Sequence, residues 1–81
     1  MILINDDESR MDFVKFVLVQ VFPVSYDEAC RITYTAHYLG RCLVGIFPFV
    51  DATERLSEAG FWNMKCHYNL KFEIEIEVEN E

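Results

Sequence analysis

The clearest pattern in the chain is an alternation of apolar and charged residues near its C-terminal end. Apolar side chains occupy every second position from Leu70 to Val78, and the positions between them hold Lys71, Glu73, Glu75 and Glu77. A period of two predicts a strand with one face in the core and the other in water. Residues 1–5 form a second apolar, β-branched run that ends at a polar cluster, which predicts a short strand there.

The segment after the first strand has a helical pattern. Apolar positions spaced by three and four predict a helix over residues 11–22, which ends before a proline. The next four residues, from Ser25 to Glu28, match a capping box, in which the serine accepts from the amide of Glu28 and the glutamate side chain reaches back. The second helix is therefore expected from Tyr26 to Leu39, with Gly40 closing it.

The second half of the chain completes the element order. Residues 41–47 are predicted to form a buried strand that ends at Pro48, and residues 51–64 a third, weaker helix interrupted by Gly60. The order is then β-α-α-β-α-β. It predicts a single α+β domain over residues 1–81, with a small antiparallel sheet and three helices packed on one of its faces.

Composition narrows the range of partners more than it narrows the fold. The 81 residues carry 7 Lys and Arg against 14 Asp and Glu, a net charge of −7. This sign is wrong for binding nucleic acid or an anionic membrane, and it suits cationic partners. Three cysteines without CxxC spacing are expected to be reduced thiols. No signal peptide or apolar run of about 20 residues is found, so we expect a soluble intracellular domain.

Polar chemistry is concentrated after the first strand, in the stretch INDDESRM, and near the end of the second helix. Thr33, Ala36 and His37 share one face of that helix because residues three and four apart are neighbours. Taken alone, Asp6 and Asp7 are typical of acids at a helix N-terminus, and the histidine of a structural one. Spacing alone does not predict whether these two regions meet.

A metal or catalytic site is a third possibility that the residue types raise. The pair Cys66-His67 together with His37 and the two aspartates offers ligand atoms, but adjacent Cys-His is not a recognised ligand spacing. No activated nucleophile arrangement is present in the sequence. We therefore expect no metal, no cofactor and no enzymatic activity.

Two motifs in this chain resemble those of a known family. Leu3-Ile-Asn-Asp-Asp7, followed by Met11-Asp-Phe-Val14, is similar to the signature L-x-N-D-D-x-T-P-M-E-F-V. The second motif consists of E-A-x-R-I-M, which is matched at Glu28-Ala29 and Arg31-Ile32, and of H-x-x-G-x-A-x-x-G-x-Y-P, which is matched at His37, Gly40-Arg41 and Gly45-Ile46-Phe47-Pro48. Both are marks of ClpS, the adaptor that recognises N-degrons for Clp AAA+ proteases. The resemblance extends from Leu3 to about Leu70.

The resemblance implies the family's β-α-α-β-α-β fold and a site for a free protein N-terminus with a bulky hydrophobic first side chain. An α-ammonium offers three donors and one positive charge, so its site needs converging acceptors, of which ionised ones bind most strongly. By correspondence with the family, the amine-binding residues are Asn5, Asp6, His37 and Asp7. The residues that line the hydrophobic pocket are Ser9, Met11, Thr33, Ala36 and Leu70.

The chain departs from the family pattern at several of these positions. Thr33 and Ala36 are smaller than the family's methionine and valine, which predicts a roomier, less selective pocket that admits Ile, Val or Trp as the first residue. Glu8 and Arg10 replace an aromatic residue and a proline. These changes predict a looser loop, in which the arginine lies beside the two aspartates and partly neutralises the amine site.

The resemblance also implies a partner, the N-domain of a Clp AAA+ unfoldase of the ClpA or ClpC type. The family's docking stretch E-V-A-E-x-K corresponds to residues 50–55, where Arg55 keeps the basic contact and Glu54 is a displaced acid. The family has a flexible N-terminal extension, which we do not expect before the first strand of this chain. The resemblance implies a location in the cytoplasm or the plastid stroma. Two alternatives are the N-recognin domain of a ubiquitin ligase and a module like the C-terminal domain of the ribosomal stalk protein, neither of which delivers cargo to Clp.

Overall fold

The computed structural model describes residues 1–75. In chain order, its elements are β1 (Ile2–Ile4), α1 (Met11–Val21), α2 (Tyr26–Leu39), β2 (Arg41–Leu43), α3 (Phe49–Cys66) and β3 (Lys71–Glu73). The predicted β-α-α-β-α-β order is confirmed. None of the helices in this range is long and apolar enough to cross a membrane.

β1 is the central strand of a three-stranded antiparallel sheet with the order β2-β1-β3. Leu3 pairs with Cys42 on one side and with Phe72 on the other, and all three side chains are buried. Because side chains alternate along a strand, these three residues define one face of the sheet. That face joins the apolar residues of α1 and α2 in one hydrophobic core, so the predicted α+β architecture is confirmed.

The first two helices begin and end close to their predicted positions. The chain leaves α1 shortly before Pro23, and Ser25 Oγ accepts from the backbone N–H of Glu28 at 3.1 Å. The carboxylate of Glu28 binds Arg31 rather than reaching back, so only half of the predicted capping box forms. Gly40 closes α2 with a φ of 89°, a left-handed conformation that residues with a side chain rarely adopt.

The prediction that Gly60 interrupts the third helix was wrong. α3 runs without a break from Phe49 to Cys66 and ends at His67, whose φ of 63° is left-handed. A glycine inside a helix costs about 1 kcal/mol relative to alanine, which a helix of 18 residues packed against α1 can tolerate. Gly60 is exposed, so the lack of a side chain at this position removes no contact from the core.

β2 is shorter than the predicted strand over residues 41–47. Its pairing with the first strand continues through two further hydrogen bonds, from Val44 N to Met1 O at 2.9 Å and from Met1 N to Gly45 O at 3.0 Å. The chain then turns back, and the ring of Phe47 lies 2.9 Å from where a Cβ on Gly45 would stand. The absence of a side chain at Gly45 therefore allows Phe47 to fold onto the core beside Phe22.

The alternating pattern near the C-terminal end holds within the described residues. Leu70 and Phe72 are buried, whereas Lys71 and Glu73 are exposed. The strand itself covers only residues 71–73, and Arg41 of β2 reaches over the sheet to bind Glu73 at 3.1 Å. The remainder of the predicted strand, from residue 76 onward, lies outside the described residues.

Candidate functional site

The end of β1 and the end of α2 meet. The backbone N–H of Asn5 donates to the carbonyl of Gly40 at 2.9 Å, which brings the polar stretch after β1 against the last turn of α2. A cavity of about 30 Å³ lies at this junction, lined by Leu3, Ile4, Asn5, Asp6, Ser9, Met11, Val14, Thr33, Ala36, His37 and Leu70. The two polar regions that spacing alone left unconnected are therefore neighbours.

Asp6 organises the turn that follows β1. Its Oδ2 accepts from the Ser9 hydroxyl at 2.6 Å, and its Oδ1 accepts from the Glu8 backbone N–H at 2.9 Å. The hydrogen bond from Ser9, then that from Glu8, holds the pKa of the Asp6 carboxyl below its ordinary value of 3.8, since both favour the charged form. A carboxylate has about four acceptor positions, so both oxygens can accept a further donor.

This turn is not a helix cap. α1 begins at Met11, the N-cap residue Arg10 makes no side-chain capping bond, and the acid in the first helical turn is Asp12. The interpretation of Asp6 and Asp7 as helix-capping acids was therefore wrong. The physical reason is that the hydrogen bonds of Asp6 close a turn before the helix starts.

The expected neutralisation of the amine site by Arg10 is not seen. Within residues 1–75, the ion pairs involve Arg31, Arg41 and Arg55, and none joins Arg10 to either aspartate. Asp7 is exposed and does not line the cavity. Asp6 is thus the aspartate that the fold places at the site.

His37 lies in the last turn of α2, exposed at the edge of the cavity. Its ring makes an edge-on contact with Tyr38, with 5.3 Å between the ring centroids. Thr33 and Ala36 are buried on the same helix face and line the same cavity, as the helical spacing predicted. A neutral imidazole has one ring nitrogen that accepts hydrogen bonds, so this side chain can add an acceptor to those of Asn5 and Asp6.

The inner part of the cavity is apolar. Val14 and Leu70 are buried there, and Met11, the first residue of α1, is half-buried. The hydroxyl of Thr33 donates to the carbonyl of Ala29 at 2.7 Å, so its hydrogen-bonding need is met inside α2. A ligand that enters this part of the cavity therefore needs no polar group to match Thr33.

Several residues of the site were missed by sequence reasoning. Val14 lies three positions after Met11 on the same helix face, so helical spacing was a signal that could have identified it. Asn63, near the end of α3, was not detectable in this way. Its Nδ2 donates to the carbonyl of Leu70 at 2.7 Å, and its Oδ1 accepts from the Leu70 N–H at 3.0 Å.

The two predicted docking residues lie on α3, apart from the cavity lining. Glu54 is exposed. Arg55 binds Asp51 at 3.0 Å and the carbonyl of Val21, and its guanidinium lies 4.9 Å from the centroid of the Phe47 ring. The structure thus gives Arg55 an internal role that fastens α3 to the end of α1.

The metal-site alternative gains no support from the geometry. Within residues 1–75, no three His, Cys, Asp or Glu side chains lie close enough together to hold a metal ion. Cys66 and His67 are both exposed, at the end of α3, and neither lines the cavity that includes His37.

The arrangement suits a cation that carries an apolar group. Acceptor side chains of Asn5, Asp6 and His37 stand beside an apolar recess, and the whole cavity has a volume of only about 30 Å³. An engineered protein cavity of about 150 Å³ is known to hold benzene. A bulky side chain would therefore need the recess to widen, and Met11 is the wall residue best suited to move, because it is half-buried and methionine is flexible.

Comparison with known proteins identifies a family over nearly the whole described range. Residues 1–73 match the model of the family described as "ATP-dependent Clp protease adaptor protein ClpS". A ClpS adapter protein of Wolinella succinogenes is 42% identical over 57 residues, which are 70% of this chain and 56% of that protein. One of Treponema denticola is 35% identical over 96% of this chain and 73% of that protein.

A solved structure supports the same assignment. Agrobacterium tumefaciens ClpS2 bound to L-phenylalaninamide superposes with a TM-score of 0.79 at 32% identity, covering 85% of this chain and 83% of that chain. The match to the Wolinella protein spans only about half of that relative's length.

Proposed function

Since this chain belongs to the ClpS family, we propose that it is a protease adaptor that binds the free α-amine and the bulky hydrophobic first side chain of N-degron substrates. It would deliver these substrates to a Clp AAA+ protease. The observation that carries the proposal is the cavity between β1 and α2. Its lining includes every predicted amine-binding and pocket residue except Asp7.

The amine end of the ligand is matched by charge and by acceptor number. Asp6 supplies a carboxylate that is ionised at neutral pH, and the hydrogen bonds from Ser9 and Glu8 lower its pKa further below 3.8. Asn5 and a neutral His37 add uncharged acceptors, which gives one acceptor for each ammonium hydrogen. Hydrogen bonds between ionised partners are the strong ones, so most of the amine affinity is assigned to Asp6.

The side-chain end of the ligand is matched by the apolar recess. Burying one Leu or Phe side chain contributes about 1.5–3 kcal/mol. The Agrobacterium relative binds L-phenylalaninamide, a molecule that combines a free α-amine with an aromatic side chain. The same two chemical features are what the acceptors and the recess of this chain would select.

The proposal is tested by titrating fluorescent peptides that differ only at their first residue or its amine. A Phe-first peptide with a free N-terminus should bind, and the acetylated form should lose nearly all affinity because it has no ammonium. A free-amine Gly-first peptide is the matched control for the side-chain contribution, and it should bind more weakly. Equal binding of the free and acetylated Phe-first peptides would overturn the proposal.

The partner is proposed to be the N-domain of a ClpA- or ClpC-type unfoldase, in the cytoplasm or the plastid stroma, with Glu54 and Arg55 at the docking surface. One observation favours an alternative, a ClpS-like module that binds N-termini without delivering them. The guanidinium of Arg55 is already engaged by Asp51 and Val21. Degradation of a Phe-first reporter by a purified unfoldase and its peptidase, with and without this chain, separates the two.

A further inference from the structure

Leu70 occupies its place in the cavity wall through an unusual pair of contacts. Its backbone N–H and carbonyl both bind the side-chain amide of Asn63, at 3.0 and 2.7 Å. Within a sheet, a neighbouring strand would supply such a pair of hydrogen bonds. Leu70 precedes β3 by one residue, so the amide of Asn63 substitutes for a strand at the point where regular pairing has not yet begun.

The main chain of Asn63 also fixes the segment that leads to Leu70. Its carbonyl accepts from the N–H of Tyr68 at 2.9 Å, just beyond the left-handed residue that ends α3. The ring of Tyr68 stacks on Phe13 of α1, with 4.3 Å between the centroids. The short connection between α3 and β3 is thereby held at both of its ends, and Leu70 is oriented toward α1.

We propose that Asn63 is a positioning residue that determines the first-residue specificity of this protein by holding Leu70 against the apolar recess. This proposal rests on the function proposed above. Asn63 itself does not line the cavity, so it acts through Leu70 and does not touch the ligand. Loss of its amide would leave Leu70 free to shift, and the recess would lose its shape while the amine acceptors in the turn after β1 and on α2 stay in place.

The test compares two peptides on three proteins. Phe-first and Ala-first peptides with free amines are titrated against the original protein, Asn63→Ala and Asn69→Ala. The last variant is the matched control, because Asn69 is the exposed neighbour of Leu70 and lies outside the cavity lining. Asn63→Ala is expected to reduce the affinity for the Phe-first peptide severalfold and to leave that for the Ala-first peptide nearly unchanged, because only the Phe side chain is buried against Leu70.

The decisive quantity is the ratio of the two affinities. Asn63→Ala should lower the preference for Phe over Ala at least about threefold, whereas Asn69→Ala should leave it unchanged. A variant that is merely less stable loses both peptides in proportion, so an unchanged ratio in Asn63→Ala overturns the proposal. Failure of the original protein to distinguish free from acetylated amines would instead overturn the proposed function.

A second substitution addresses geometry without removing the side chain. Asn63→Asp keeps an acceptor for the Leu70 N–H but places a second oxygen opposite the Leu70 carbonyl, where the amide now donates. The two oxygens repel each other, so this variant should lose selectivity at least as strongly as Asn63→Ala. Retention of the original Phe-to-Ala ratio in Asn63→Asp would count against the positioning role.

Discussion

The two ends of the cavity are built by different kinds of interaction. At the amine end, Asp6 is held by hydrogen bonds from Glu8 and Ser9, which are two and three residues away in the chain. At the apolar end, Leu70 is held by Asn63, and its neighbours Met11 and Ala36 come from separate helices. The carboxylate of the amine end is therefore held by local contacts, although His37 comes to this end from α2, whereas the apolar end depends entirely on tertiary packing.

This difference predicts how the two functions respond to mutation. A locally closed turn can keep its acceptors even when the core around it is altered. An apolar recess assembled from three separate parts of the chain changes shape when any one of them moves. Affinity for the amine should therefore be robust, and selectivity for the first side chain should be the property that varies among related chains.

The largest effect is expected from removing the charge at the amine end. Asp6→Ala deletes the ionised acceptor, and hydrogen bonds to charged groups are worth about 1.5–3 kcal/mol each, so peptide affinity should fall about tenfold to more than 100-fold. Fluorescence anisotropy with a Phe-first peptide measures this loss. Asp7→Ala is the matched control, since Asp7 is exposed and outside the cavity, and it should bind within about twofold of the original protein.

The next effect concerns the shape of the apolar end. Thr33→Met adds volume to a buried wall position, so peptides that begin with Trp, Ile or Val should lose up to about tenfold in affinity relative to a Leu-first peptide. Tyr34→Met places the same side chain on the exposed neighbour and serves as the control. If the original protein already binds only Leu, Phe, Tyr and Trp, the prediction of a roomier pocket was wrong.

A smaller effect is expected from acidification. A protonated imidazole cannot accept a hydrogen bond and repels an ammonium, so if His37 is an acceptor, affinity should be weaker at pH 5.5 than at pH 7, where the peptide amine is already largely protonated. The lowered pKa of Asp6 means that its stabilising contribution is present above 3.8 and is lost only as the pH falls below that value. Asp6 therefore stays charged across this range, and the weakening should be lost in His37→Ala. A flat profile in the original protein would remove His37 from the site.

The smallest effect tests whether α3 can be altered without disturbing either end of the cavity. Gly60 is exposed within α3, and a Cβ placed on it would meet no atom within 4 Å. Gly60→Ala should raise the free energy of unfolding by about 0.5–1 kcal/mol and leave peptide affinities unchanged. Urea denaturation measures the first quantity. A decrease in stability would show that the helix is strained at this position.

Much of the fold could be predicted because its signals are periodic. The alternation of Leu70 and Phe72 with charged residues, and the helical spacing of residues 13 to 21, each describe one face of one element. The serine at position 25 and Gly40 mark where α2 begins and ends. These are local rules, and the structure follows them.

The misses have a common physical origin. Only half of the capping box forms because Arg31 competes for the carboxylate of Glu28, and no local rule ranks such competing partners. Shortly after β2 ends, the ring of Phe47 packs against Gly45, and this is also a contact that no periodic pattern indicates. The two hydrogen bonds between Asn63 and Leu70 connect the end of α3 to the segment before β3. The contact between Asn5 and Gly40 joins residues that are far apart in the chain. The family resemblance predicted this second contact indirectly, because it placed both regions in one site.

The backbone contact between Asn5 and Gly40 makes a residue that has no side chain important for the site at which we propose that an ammonium binds. A residue with a side chain at position 40 would have to adopt an unfavourable positive φ. The carbonyl of this same residue accepts the hydrogen bond from Asn5 that holds the end of β1 against α2. Gly40 does not line the cavity, yet its carbonyl holds the segment that leads to Asp6 against the helix that carries His37.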